Sequence, residues 1–241
     1  MLAIVPRSQT QFIVGEAGCL IYLTDRSVIA GTAGEGPVTG GELYQDDGFC
    51  VRVLLGELTP EEQVNWTSRI VSELQLPTGE MIVSGILDPD YDRWLSDFGV
   101  ADLELVEDVE LSGDHELGCI VNIEPGAYVV ELYSYPPNDL AAGWMKIEDR
   151  ENFDLATGSP VERDAPTASR ESAQEYFERT RPGEPVPEWI AEGYEDAEFL
   201  DFVIRLERIG EADAEAAASA GQQFLDWEFR KPEVCPVGIR L

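Results

Sequence analysis

Residues 119–135 read CIVNIEPGAYVVELYSY. Apolar side chains fall on both parities here: Ile120 and Val121 before the break, Tyr128, Val129, Val130, Leu132 and Tyr133 after it. A strand with one wet face alternates apolar and polar residues, whereas a run that is apolar on both parities is covered on both sides. The stretch therefore predicts a central, doubly covered pair of strands about Pro125-Gly126. It places the chain among strand-dominated proteins.

Working outward, residues 12–30 alternate short apolar runs with turn formers and predict two or three strands. GTAGEGPVTGGE, residues 31–42, reads as a loop, and GFCVRVLLG, residues 48–56, as a buried strand. Thr59, Pro60 and Glu62 have the spacing of a helix start in which the hydroxyl and the carboxylate cap each other's backbone N–H groups. With Val64, Ile70 or Val71, and Leu74 on one face, they predict a helix over residues 60–74. EMIVSGI, residues 80–86, resumes as a strand. ADLELVEDVEL, residues 101–111, alternates with period two. That pattern predicts one strand with Leu103, Leu105, Val109 and Leu111 facing the core and Asp102, Glu104, Asp108 and Glu110 facing water.

From Asp154 to Pro187 the chain turns polar and proline-rich, with a short helix predicted over about residues 170–179. EFLDFVIRLERI, residues 198–209, reads as a strand with Leu200, Phe202, Ile204 and Leu206 on one face and Asp201 on the other. An alanine-rich helix over residues 211–220 and a last strand near FLDWEF complete the reading. The expected fold class is α+β: mainly antiparallel sheets with one to three helices, at 60–74, about 170–179 and 211–220. The expected organisation is a β-rich core over residues 1–150, a polar linker over 151–187, and a strand–helix segment over 188–241 that packs back on the core as one domain.

Charge is the compositional outlier. The 241 residues hold 48 acids and 16 bases, a formal charge of -32, where a small soluble domain carries about 2–8 units. Such a field repels nucleic acid and anionic lipid and attracts cationic partners. Cys19, Cys50, Cys119 and Cys235 lie far apart, without the short paired spacings of a zinc site, and read as buried thiols in a reducing compartment. No window reaches the roughly 18 apolar residues of a membrane helix, and MLAIVPRSQ lacks the apolar core of a signal peptide. Cytoplasmic residence is the expectation, with no membrane contact.

Motifs for chemistry fail on inspection. DPDYDRWLSDFG, residues 88–99, opens like a calcium loop, but Arg93 and Gly99 stand where the loop needs glycine and a bidentate glutamate. GPVTGGEL, residues 36–43, has the glycine spacing of a phosphate loop, but Glu42 replaces its lysine. His115, the only histidine, lies between Asp114 and Glu116 without a nucleophile elbow and reads as a solvated turn residue. No cofactor and no metal site is expected. A carboxylate pair for hydrolysis carries little information among so many acids.

What remains is the distribution of charge. No Lys or Arg lies between Arg93 and Lys146, a span holding eleven acids. Residues 188–202, EWIAEGYEDAEFLDF, interleave aromatics with six more acids and also lack bases. Interface anchors are enriched in Trp and Tyr, while rim carboxylates set orientation and on-rate. The expected partner surface therefore comprises Trp189, Glu192, Tyr194, Glu195 and Asp196 together with Asp102, Glu104, Asp108 and Glu110. The expected function is a non-enzymatic acidic binding module that neutralises a cationic protein, as immunity or inhibitor proteins do. That likeness is one of physics and not of motif. Two alternatives stay open: a salt-adapted accessory protein whose acids serve solvation, and a hydrolase using a carboxylate pair.

Overall fold

The computed structural model describes residues 6–16, 20–31, 38–43, 47–85, 97–137, 153–154, 159–160, 173–187, 190, 199–210, 223–230 and 232–241. Its strands, in chain order, are β1 (Arg7–Glu16), β2 (Leu20–Asp25), β3 (Val38–Glu42), β4 (Asp47–Leu55), β5 (Ser68–Leu76), β6 (Glu80–Ser84), β7 (Gly99–Asp102), β8 (Glu104–Val106), β9 (Leu111–His115), β10 (Gly118–Asn122), β11 (Gly126–Ser134), β12 (Phe153–Asp154), β13 (Ser159–Pro160), β14 (Phe202–Gly210), β15 (Gln223–Phe224) and β16 (Glu228–Phe229). The described helices are α1 (Arg26–Gly31), α2 (Pro60–Asn65) and α3 (Ala173–Thr180). Strands dominate and most pairings are antiparallel, so the α+β class holds.

Two large sheets carry the molecule. The first has the order β16-β5-β11-β14-β4-β1-β8, with β9 also paired to β1; the second runs β15-β3-β2-β6-β10-β7. Phe12, Val51, Leu74, Val130, Phe202 and Ile204 from the first sheet meet Ile21, Leu23, Met81, Val83, Cys119 and Val121 from the second in the main core. The first sheet is also covered on its other face, where Cys50, Leu54, Tyr133, Tyr135, Leu200 and Val203 pack with Leu58 and Ile239. This double cover is why residues 126–134 are apolar on both parities. It also buries Asp201, whose Oδ2 accepts from the Cys50 N–H at 2.7 Å. Leu200 lies on this outer face, opposite Phe202, and not beside it as simple alternation predicts.

The two strands flanking Pro125-Gly126 are not a hairpin. β10 pairs with β6 and β7 in one sheet, while β11 pairs with β5 and β14 in the other. The turn carries the chain from one sheet to the other.

Three further expectations change. The Thr59–Glu62 capping box is present, with Thr59 Oγ1 accepting from the Glu62 N–H at 3.1 Å and Glu62 Oε2 accepting from the Thr59 N–H at 2.7 Å. The helix, however, ends at Asn65 and residues 68–76 form β5, so the helix over 60–74 is corrected to 60–65. Ile70, Leu74 and Leu76 face the core on strand parity, while Val64 and Val71 are exposed. Residues 38–42, read as part of a loop, form β3. The strand predicted over 101–111 is divided: β7 belongs to the second sheet, β8 to the first, and Leu103 spans the crossing, half-buried against the core. The helix predicted near 170–179 is α3, whose Tyr176 and Phe177 pack with Cys235. The helix predicted over 211–220 and the aspartate loop at 88–96 lie outside the described residues.

His115 is not a solvated turn residue. It ends β9, half-buried, with its ring 6.1 Å from that of Phe12. Gly99 on β7 and Gly113 on β9 leave the space its ring fills, and a Cβ at Gly99 would collide with that ring. Gly99→Ala should therefore cost about 1–3 kcal/mol by overpacking. Adding His115→Ala should recover part of the loss, a positive coupling visible as a partial return of the urea midpoint. A G99A protein as stable as the wild type would contradict this packing.

Candidate functional site

Residues 99–116 close one edge of both sheets. β7 is the outermost strand of the second sheet, and β8 and β9 together border β1 at the edge of the first. β8 runs antiparallel to residues 7–9 and β9 parallel to residues 11–14, so the chain reverses over 107–110. Asp102, Glu104, Glu107, Asp108, Glu110, Asp114 and Glu116 are all exposed on this ribbon. Asp102 accepts from Asn122 Nδ2 at 2.8 Å. None of the seven is ion-paired with a base among the described residues.

The ribbon is not purely polar. Leu105 is 71% exposed, Val100 64% and Leu111 45%. Leu105 and Leu111 were expected to face the core. The short edge strand β8 is instead exposed on both faces, with Leu105 opposite Ser8 and Glu104 opposite Gln9 both open to solvent. Of the predicted site residues, Asp102, Glu104, Asp108 and Glu110 thus share one continuous strip with three exposed apolar side chains. Trp189, Glu192, Tyr194, Glu195 and Asp196 lie outside the described residues, while their neighbour Ile190 packs against the α3 cluster.

Beside the ribbon lies a cleft of about 720 Å³, within the usual range for ligand sites. The 107–109 reversal and residues 57–62 line it, together with Ile239, Arg240 and Leu241. Its floor is charged and buried. Glu62 Oε1 accepts from Arg7 Nη2 at 2.7 Å and Arg52 Nη1 at 2.8 Å; Oε2 accepts from Arg7 Nη1 at 2.5 Å. Arg52 also donates from Nε and Nη2 to Gln11 Oε1, at 2.9 and 2.6 Å. Burial pushes the Glu62 carboxyl upward, but the Arg7 hydrogen bonds and charge, the Thr59 N–H and the Arg52 charge outweigh it and hold the group below the usual carboxylate range. Glu62 is therefore ionised at neutral pH and lacks the raised affinity for a proton that a general acid needs. Two guanidinium groups against one carboxylate leave the floor with an excess positive charge.

The sequence held a signal for this floor. Arg52 interrupts the apolar run FCVRVLLG of a buried strand, and a charge so placed requires a partner. The partner, Glu62, was legible only as a capping residue.

No family profile matches this chain, and no curated protein matches it. One solved structure, "Crocagin biosynthetic gene J", is similar at 13% identity over 84% of this chain and 96% of that chain, with a TM-score of 0.36. Likeness at this level carries no argument. The site therefore stands on its chemistry alone.

Among the described residues there is no cluster of three or more His, Cys, Asp or Glu able to hold a metal ion, and no helix long and apolar enough to cross a membrane. Cys50, Cys119 and Cys235 are buried. Burial pushes the Cys50 and Cys119 thiols up to about 12, with Asp201 adding to the effect at Cys50, so neither is poised as a nucleophile.

Proposed function

We propose that this chain is a non-enzymatic binding module that engages a cationic protein through the 99–116 ribbon, in the manner of an inhibitor or immunity protein. The observation that carries this reading is the mixture on the ribbon: seven exposed acids with no ion-paired base among the described residues, interleaved with exposed Val100, Leu105 and Leu111. Acids that serve solvation alone do not call for exposed leucines among them, whereas a docking surface uses apolar anchors for affinity and rim charges for steering. The same field disfavours nucleic acid. The carboxylate-pair hydrolase is the weaker alternative, because the buried carboxylate of the cleft is held ionised by two arginines.

The test compares two variants of equal net charge. In one, Asp102→Asn, Glu104→Gln, Asp108→Asn and Glu110→Gln neutralise the ribbon; in the other, Glu73, Glu175, Glu178 and Glu233 become glutamine elsewhere on the surface. A basic protein captured from the source cells at low salt should associate with the ribbon variant about tenfold or more slowly, and with the control variant at nearly the wild-type rate. Equal rates for both variants would favour the solvation reading and overturn this one.

A further inference from the structure

The cleft beside the ribbon has a mainly acidic rim, to which exposed Arg240 adds one base, above a floor with excess positive charge. At its rim Glu61, Glu107 and Asp108 are exposed and not ion-paired among the described residues, and Glu57 is shared with Arg205 at 3.0 Å. At its floor Arg7 is 8% exposed and Gln9 and Glu62 are each 1% exposed. Both oxygens of Glu62 are already saturated, each accepting two hydrogen bonds, so it can do no more for the arginines.

Two floor atoms are left without a hydrogen-bond partner among the described residues: Arg7 Nε, a donor, and Gln9 Oε1, an acceptor. Gln9 cannot turn over to exchange them, since its amide nitrogen Nε2 donates to the carbonyls of Val106 and Glu107 at 3.2 and 3.3 Å. Residues 7 and 9 share a face of β1. An orphan donor with excess positive charge therefore lies on the same strand face as an orphan acceptor two residues on, under a mainly acidic rim. An unmade hydrogen bond at such depth is costly, and a ligand that supplies both partners recovers that cost.

The last residue of a peptide chain offers this combination. Its carboxylate accepts from guanidinium N–H groups, and its backbone N–H donates to an amide oxygen one step away. Basic side chains a few residues earlier would then meet Glu61, Glu107 and Asp108 at the rim. We propose that the cleft seats the carboxylate-bearing C-terminus of a basic peptide segment, Arg7 and Arg52 holding the carboxylate and the rim acids holding the preceding cations. This rests on the cationic-partner reading above and narrows it to one element of the partner.

The sign of one comparison tests it. An N-terminally fluorescein-labelled hexapeptide of alternating Lys and Ala is prepared with a free C-terminal carboxylate and as its C-terminal amide, and binding to the full chain is followed by anisotropy at ~0.1 M salt. The amide lacks the carboxylate's negative charge and so is one unit more positive overall, and attraction to a chain of net charge -32 by itself favours the amide. A carboxylate seat reverses that order, and the free acid is expected to bind about tenfold or more tightly through charge-assisted hydrogen bonds. Arg52→Gln should abolish the preference, the acid then binding no more tightly than the amide. The inference is overturned by an amide that binds as well as or better than the acid, by free arginine binding as tightly as the acid peptide, or by binding of neither peptide. The first comparison needs no variant, so an unstable R52Q protein does not obscure the result. The ribbon reading is judged separately, by the equal-charge variants and their salt-dependent capture.

Discussion

Glu62→Gln is expected to destabilise the protein by about 3–5 kcal/mol, because it leaves Arg7 and Arg52 as buried charges without a counter-ion. Glutamine preserves volume and keeps an oxygen near Thr59, so most of the loss comes from charge and not from a cavity. The pH dependence identifies the cause. The folded carboxyl lies below its ordinary value of 4.5, so the stabilisation is fully present above that value. It is lost as pH falls below 4.5 and through the folded-state value. The gap between wild type and E62Q in urea unfolding should therefore be constant from pH 7 to about pH 5 and should shrink at lower pH. Subtracting the variant removes the contribution of the other 47 acids, which titrate in both proteins. A gap below about 1 kcal/mol at pH 7, or one that persists undiminished to pH 3, would show that the pair is not what holds α2 against β1 and β4.

The same residues show how much the sequence could reveal. Thr59 and Glu62 announce a helix start because a capping box is a local device, complete within four residues. Where the helix ends is not local. SRIVSELQL has apolar residues compatible with either period, and the hydrogen bonds offered by β11 decide for strand. The alternation over 101–111 was real, but it cannot reveal that the chain changes sheets at Leu103. Both sheets accept a period of two, and past the crossing the ribbon is exposed at consecutive positions, 104–105 and 110–112. Hence the acids of the ribbon were legible and its exposed Leu105 and Leu111 were not. Arg7 and Arg52 stand 45 residues apart and meet Glu62 only because β1 pairs antiparallel with β4 beneath α2. A site built from such pairings leaves in the sequence only the oddity of a charge within an apolar run.

Phe202→Ala is expected to cost about 3–5 kcal/mol, the range for emptying a fully buried aromatic site. Its ring meets Phe49 edge-on at 5.4 Å and stacks near Trp227 at 6.1 Å, so its removal opens space between the two sheets at the centre of the core. A neighbouring substitution makes the experiment a test of architecture. If β14 had one wet face, as the alternation of residues 198–209 implies, Val203→Ala would be nearly neutral. Instead Val203 is packed with Leu54, Tyr133 and Leu200 on the covered outer face of the first sheet, and its truncation should cost about 1–3 kcal/mol. Val71→Ala, on the exposed face of β5, should lie within about 0.5 kcal/mol of wild type. The order of urea midpoints is then F202A lowest, V203A next and V71A close to wild type. If V203A matched V71A, the outer face would be open to water, and the apolar residues on both parities of 126–134 would need another explanation. The cleft depends on the same layer, since Leu58 and Ile239 belong both to that outer cluster and to the cleft wall. A V203A protein that loses stability should for that reason also bind the acid-ended peptide more weakly, whereas V71A should not.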